Sequence, residues 1–588
     1  MRKTLLITLS ITAFLLLSGY LFLRFSLQTS IHKEEKKTGK VLPTTDTLGG
    51  KKVSAVDLRP LFIKRLQQLV KHSSHGLYDL SVGDMKVDLP ASKVSLLDVT
   101  IQPNADSLAN FKKAGIVPED VFNISFKSLA IEGINLDDAI SGKTMDYQLV
   151  KLVNPVIHIN YYKKEKKKED DEEEFSQRFL NQMQKLDVKQ LIVEGGTVVI
   201  HDAQKNKTNK LNDVRVNLKD ILLDSTTRKD KQRFLFAKEA TISFRNYSTR
   251  TKDGVYDFKI GNVSIKVPQQ QVALQNLSFI SSLGKEQFEK RQKFRMEFYQ
   301  LTIPSVTMNK VNWWNLVNEE EVVADELAIN GGKLSVYFDR SLPPTSKMGN
   351  FPNQLLMKLP LKMNIAKLKI RNFDVAYEER NPVSQQSGTI YMDDVTMDAS
   401  NVSNFRDRNK KPVTVNASAL FMHRVPLQVR FSFDMKNYKA GEFTATVSSS
   451  GAFGGETINS FAMPLGLVKI EKGTMQNLQA NIKGNELGAG GEVVMQYKDL
   501  KLTLLEKDQG ETALDKKGFT TFIANAFVLK KDNPEENKEP RKEAAEFKRD
   551  PTGGFFMLVW KTLLVGALRT IGAPTKIAYK KPKITGKK

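Results

Sequence analysis

Cysteine is absent from the 588 residues. That excludes a disulfide framework, a thiol nucleophile and any thiolate metal site. Histidine is scarce: His32, His72, His75, His158, His201 and His423 are scattered, with no carboxylate set at metal-ligand spacing. No G-x-S-x-G elbow occurs, and Gly451-Ala-Phe-Gly454-Gly455 lacks the lysine of a phosphate-binding loop. The neighbours Asp137-Asp138 and Asp393-Asp394 point to opposite sides of an extended chain, as turn or edge residues do, and form no acid–base dyad. The chain therefore reads as a non-enzyme with no cofactor and no catalytic residue. A membrane-tethered hydrolase is the weakest alternative, because it needs a polar cluster converging in a cleft. Acidic residues are in deficit, 66 against 89 lysines and arginines, for a formal charge of +23. No nucleic-acid-binding motif accompanies that charge. Its lysines stand singly along alternating runs, as in Lys367-Leu-Lys369-Ile-Arg371, the composition of a solvated sheet face.

Long apolar runs are also missing, with one exception. Thr4–Leu23 is uncharged and long enough to cross a bilayer core of about 30 Å. It follows the basic head Met1-Arg2-Lys3 and lacks a small-residue cleavage site, so it is expected to be an uncleaved signal anchor with its N-terminus in the cytoplasm. Phe555–Ile571 is apolar but interrupted by Lys561 and Arg569, and is expected to form an amphipathic helix on a membrane or against the end of the β body.

What fills the chain instead is a repeat. Leu191–Asp202, LIVEGGTVVIHD, alternates apolar and polar residues on both sides of Gly195-Gly196. Leu327–Asp339, LAINGGKLSVYFD, repeats it around Gly331-Gly332, and Leu368–Glu378, LKIRNFDVAYE, around Asn372-Phe373-Asp374. Looser copies begin at Leu129, Leu152 and Leu301, and the companion LNDV of Leu211–Val214 is echoed by Tyr391–Met397, YMDDVTM. The glycines are expected to supply a positive φ or a tight bend between two short strands. Imperfect repeats of this size indicate one elongated, repetitive β structure. Few helices are present to cover so many strands, so on periodicity alone a packed sandwich is the simpler arrangement.

The stretch Phe122–Tyr162 reads FNISFKSLAIEGINLDDAISGKTMDYQLVKLVNPVIHINYY: a strand to Gly133, a short helix over Leu136–Ile140, and a strand pair broken at Asn154-Pro155. This order resembles the repeating module of the AsmA-like envelope proteins, relatives of TamB. Ala489–Lys507, AGGEVVMQYKDLKLTLLEK, resembles their closing strands. The resemblance covers about Leu58–Lys530. It implies a mainly β fold, a long curved β-sheet groove with short helical connectors. It also implies a single-pass inner-membrane protein of a Gram-negative envelope, with most of the chain in the periplasm. Its function would be to carry or regulate phospholipid between the inner and outer membranes. Acyl chains would then lie along Leu191, Val193, Val198, Ile200, Leu327, Ile329, Leu334, Val336, Leu368, Ile370, Val375 and Tyr377. The partners implied are phospholipid acyl chains, the inner membrane through residues 4–23, and the outer membrane or an envelope protein at the C-terminal end. The competing reading is an envelope assembly or scaffold protein that binds protein clients by strand addition.

The expected organisation is a signal anchor (1–30), a linker (31–52), an N-terminal module (53–162) opening on an amphipathic helix over Val56–Lys71, and a charged loop and helix (163–187). A repetitive β body (188–530), a charged linker (531–554), and a helix with a basic tail (555–588) complete it. Short helices are expected to interrupt the body at Gly284–Gln292 and Val311–Asn318, and Trp313-Trp314 to cap a strand layer.

Overall fold

A computed structural model describes residues 59–578 apart from 89, 116–119, 134–143, 162–184, 203–206, 225, 228–229, 231, 235, 252, 383, 406–410, 507–519, 523–528 and 576–577. The signal anchor, the 31–52 linker, the Leu136–Ile140 helix, the 163–174 charge run and the basic tail from 579 lie outside the described residues. So does most of the helix expected over Phe175–Leu186, whose last two residues begin a strand. No helix among the described residues is long and apolar enough to cross a membrane.

The described residues are mainly strand, in mixed sheet, with short helices between. They fall into two compact units, the described residues up to Thr249 with Ile260–Val272, and Arg250–Lys259 with the described residues from Ala273 onward.

In the first unit, the expected amphipathic helix is α1 (Arg59–Ser73), which packs on β1 (Tyr78–Asp88) and buries Leu66 and Val70. β2 (Lys93–Pro103) pairs antiparallel with β1 and with β3 (Asp120–Glu132). Between β2 and β3 stands α2 (Ala105–Lys113), capped by Asn104, whose side-chain oxygen accepts from the Ser107 amide at 3.0 Å. β4 (Thr144–Val153) and β5 (Val156–Tyr161) are two halves of one strand broken at Asn154-Pro155, and both pair with β3. Both also run parallel to β6 (Lys185–Asp202), after which β7 (Lys207–Leu223) and β8 (Ala237–Arg250) continue antiparallel. β9 (Tyr256–Lys266) contributes residues to each unit.

The second unit contains β10 (Gln271–Ser281) from Ala273 onward, α3 (Lys285–Arg291) and β11 (Glu297–Asn309), which pairs antiparallel with β12 (Glu321–Asp339). A π-helical turn over Asn315–Glu319 precedes β12, and Trp313 and Trp314 beside it are half-buried. A crossover carrying α4 (Pro352–Lys358) then places β13 (Lys362–Arg380) parallel to β12. From there the order is antiparallel: β14 (Ser387–Ser403), β15 (Val413–Phe421), β16 (Val425–Phe433) and β17 (Phe443–Ser449). β17 and the short β18 (Phe453–Gly454) both pair with β19 (Val468–Asn485), with α5 (Asn459–Gly466) preceding it. β20 (Gly488–Glu506) pairs with β19, with β21 (Thr520–Phe522) and with β22 (Lys542–Lys548). The stretch 531–554, expected to be a linker, thus supplies a strand: within Lys542–Lys548 only Ala545 and Phe547 are buried, an alternation hidden among charges.

α6 (Phe555–Thr570) packs on β20 and β22 and buries Phe555, Leu558, Val559, Leu563, Val565 and Leu568, while Phe556 and Trp560 on the same helix are exposed. Phe351, Phe433 and Phe443 surround Phe555, the last at 4.8 Å between ring centroids. Tyr497, with 0% exposure, ties this end together. Its hydroxyl donates to the carbonyls of Lys530 (3.1 Å) and Thr570 (3.3 Å) and accepts from Arg541 Nη2 (3.1 Å).

The double glycines do not join separate strands; each lies inside one long strand. Gly195 (φ +66°) and Gly331 (φ +72°) each insert a left-handed residue, the geometry of a β-bulge. The physical reason is visible in the phase of the repeat. Leu191 and Val193 are odd-numbered, Val198 and Ile200 even; one extra residue between them keeps all of them on one face. Asn372 (φ +53°) does the same in β13, and Asp213 (φ +47°) and Asp394 (φ +50°) mark the corresponding places in β7 and β14. Asn and Asp tolerate this conformation because their side chains satisfy the local backbone. Gly332 (φ +147°) has a second constraint: a Cβ there would stand 2.7 Å from Phe373 Cδ2 and 2.9 Å from the Thr302 carbonyl oxygen.

Candidate functional site

Strand pairing brings the apolar residues of the second-unit repeats into rows. Leu327, Ile329, Leu334 and Val336 of β12 stand directly beside Leu368, Ile370, Val375 and Tyr377 of β13. β11 and β14 extend the rows on either side. One row reads Met308–Leu327–Leu368–Ala399, the next Val306–Ile329–Ile370–Met397, then Leu301–Leu334–Val375–Met392, and finally Tyr299–Val336–Tyr377–Ile390. Partners directly opposite in a ladder share a face, so these rows form one apolar surface four strands wide. Its eight repeat residues on β12 and β13 are all half-buried. Ile303, Val306 and Phe373 form the buried floor, and Leu274 and Leu277 of β10 pack against the same cluster.

The first-unit residues are placed differently. Leu191 lies between Val150 and Leu218, Val193 between Leu152 and Val216, Val198 between Ile157 and Leu211, and Ile200 between Ile159 and Asn209. Leu191, Val193 and Val198 are buried and only Ile200 is half-exposed. The repeat is therefore a packed core there and an accessible face in the second unit.

The opposite face of β12–β13 is polar, as the interleaved lysines require. Lys369 Nζ lies 2.6 Å from Glu326, and Arg371 Nη2 lies 2.7 Å from Asp398. Toward the C-terminal end of the two strands, α3 covers this outer side: Phe288 packs on Phe298 at 5.1 Å, Tyr337 donates to Glu289, and Lys285 pairs with Glu378 at 2.7 Å.

The apolar rows end in charge. Arg340 continues the phase of Leu334 and Val336, Glu379 that of Val375 and Tyr377, and the two form an ion pair at 2.9 Å. Tyr377 Oη donates to the other Glu379 oxygen at 2.9 Å. Burial raises the Tyr377 phenol well above its usual range, and the adjacent carboxylate adds to the effect. Burial and the Glu297 charge push Tyr299, two strands away on β11, up to about 12. Glu297 itself is held by Lys347 at 2.8 Å. Helices close this end. Near Gly388, opposite Glu379, lie Phe461, Pro464 and Leu465 of α5, and Asn381 and Ser384 donate to the Leu465 and Pro464 carbonyls. Trp560 of α6 meets Phe461 edge-on at 5.9 Å, and the next residue, Lys561, lies in the field of Arg340 and Glu379.

Nothing local in the sequence marks this closed end. The same holds for His423, whose Nδ1 lies 2.7 Å from Asp393 with the Tyr391 ring against it. In that pair His423 is exposed and Asp393 half-buried. No cluster of three or more potential metal ligands occurs among the described residues. No known protein-family model and no characterised protein sequence matches the chain.

Proposed function

We propose that the chain is an AsmA-like envelope protein. It is anchored in the inner membrane by residues 4–23, with its bulk in the periplasm, and it carries or regulates phospholipid on its way to the outer membrane. The observation that carries this reading is the four-strand apolar face of β11–β14, with its rows in register and its eight repeat residues on β12 and β13 half-exposed. Rows repeat from strand to strand at about 4.8 Å, so an acyl chain shifting from one strand to the next exchanges like contacts for like. Leaving each methylene in water instead would cost about 0.8 kcal/mol. The polar outer face and the helix-capped end confine the apolar surface to one side.

The test is native mass spectrometry with lipid extraction on the full chain purified from cells. Phospholipid is expected to co-purify. Val336→Asp combined with Ile329→Asp should remove most of it while circular dichroism and the melting profile stay those of the parent, because both positions are half-exposed. A well-folded, lipid-free parent protein would overturn the reading and favour the envelope assembly protein that binds clients by strand addition.

A further inference from the structure

The end of the apolar face is crowded with charge of both signs, and one of its cations has no partner among the described residues. Arg340 and Lys347 pair with Glu379 and Glu297, Arg295 lies in the fields of Arg340, Glu379, Asp339 and Asp550, and Lys561 in those of Arg340 and Glu379. Glu379 and Glu297 are committed. Glu379 takes Arg340 on one oxygen and Tyr377 Oη on the other, and both Glu297 oxygens lie within 3.0 Å of Lys347 Nζ. Arg295 spends its Nε on the Leu342 carbonyl at 2.6 Å. Lys561 is left over: half-buried, it makes no hydrogen bond or ion pair among the described residues. Burial drives its ammonium below the usual lysine range, and Arg340 adds to this, with Glu379 opposing. An ammonium withdrawn from water without a partner is destabilising, and an apolar side chain would serve a helix that packs on sheet better. Lys561 therefore needs a reason, and an anion supplied from outside the chain provides one.

We infer that this closed end is a headgroup site, in which Lys561, with Arg340 beside it, receives the phosphate of a phospholipid whose tails lie along the rows leading to Tyr377. The inference rests on the reading of those rows as a lipid track. It adds a polarity to that track: the lipid lies with its phosphate toward α6 and its tails toward Leu327 and Leu368. A phosphate suits the place because a lysine and an arginine together satisfy several of its oxygens with charge-assisted hydrogen bonds.

The experiment offers the full chain, in detergent, dioleoylphosphatidylglycerol or dioleoylglycerol, which share their tails and differ in the phosphate. Retained lipid is quantified by mass spectrometry. The parent protein is expected to retain the phosphatidylglycerol about tenfold better, the worth of one charge-assisted hydrogen bond. Lys561→Met should abolish that preference and leave dioleoylglycerol retention unchanged, and Lys561→Arg should restore it. Equal retention of the two lipids by the parent, or an undiminished preference in Lys561→Met, overturns the headgroup site and leaves the track standing. Loss of preference in Lys561→Arg as well as in Lys561→Met also overturns it, because the position would then matter only for packing. A parent that retains neither lipid overturns the track and the headgroup site together.

Discussion

Arg549 is a buried guanidinium on which several segments converge, and its replacement by methionine tests how α6 is held. The residue is 6% exposed and its charge is met at 3.0 Å by Glu486. Its remaining donors go to the Gly553 carbonyl, at 2.9 and 3.1 Å, and to the Lys347 carbonyl at 2.8 Å, while the guanidinium lies 4.3 Å from the Phe351 ring centroid. One side chain thus fastens the residue before the α6 N-cap, the α4 approach and the β19–β20 turn. Arg549→Met keeps most of the apolar stem but takes from Glu486, whose side chain is 16% exposed, its only ion-pair partner among the described residues, and frees two carbonyls. Breaking a buried pair from one side costs about 3–5 kcal/mol, and the carbonyl losses overlap with that, so about 4 kcal/mol is expected. A chain of two units does not unfold in one step, so the assay is native-state hydrogen exchange on peptides covering 345–358 and 545–556. Exchange there should accelerate about a thousandfold, with Arg549→Lys intermediate. The pH dependence carries a second signature. Burial pushes Glu486 up, but the Gly349 amide, Arg549 and Gln354 outweigh it and hold the carboxyl below its ordinary 4.5. A depressed carboxyl stabilises the fold above its unfolded value and loses that contribution as pH falls through the folded one, so protection at these peptides should decline below about pH 4.5. In Arg549→Met that decline should flatten. Exchange within about threefold of the parent would refute the argument.

Gly332→Ala should lower the melting temperature of the second unit by an amount equivalent to about 2–4 kcal/mol, since the new methyl meets the Phe373 ring and the Thr302 carbonyl on a backbone already at φ +147°; scanning calorimetry reads it. Tyr497→Phe removes one hydroxyl from three partners and should weaken the last turn of α6 by about 1–3 kcal/mol, seen as faster exchange in 565–575. Lys561→Met should stabilise the protein at neutral pH in the absence of lipid. The depressed ammonium penalises the parent below its folded pKa and ceases to do so as pH rises to its unfolded value near 10.5, so the advantage of the variant should shrink toward pH 10.5 in thermal melts.

Period-two alternation and the interleaved lysines made the sheet and its two faces legible, because each strand carries its own phase. The pairing of Leu327 with Leu368 and of Leu334 with Val375 follows once two copies of one pattern lie side by side. The bulges were legible only as a break between odd and even positions, which a bend between two strands explains equally well. β22 was hidden because two apolar residues among charges fall below any window average. The closed end was out of reach for a different reason: Arg340 follows β12 and Glu379 lies on β13, parallel strands separated by a crossover, and Lys561 arrives from a helix much further along. The burial of the α6 apolar residues by sheet was likewise obscured, since Lys561 and Arg569 in an apolar run read equally as a surface helix.

The bulges make the apolar face behave like a message read in two frames. β12 is legible only if one residue is skipped at Gly331, and β13 only if one is skipped at Asn372. Straightening β12 with Gly331 still in place would shift the downstream frame, turning Leu334 and Val336 outward and bringing Lys333 and Ser335 onto the face. Deleting Gly331 removes the skipped residue and leaves Leu334 and Val336 on the face, and deleting Asn372 as well restores one-for-one pairing with β13. An added residue at either point therefore acts as a frameshift within a folded strand, while insertions in the loops between strands leave the frame intact.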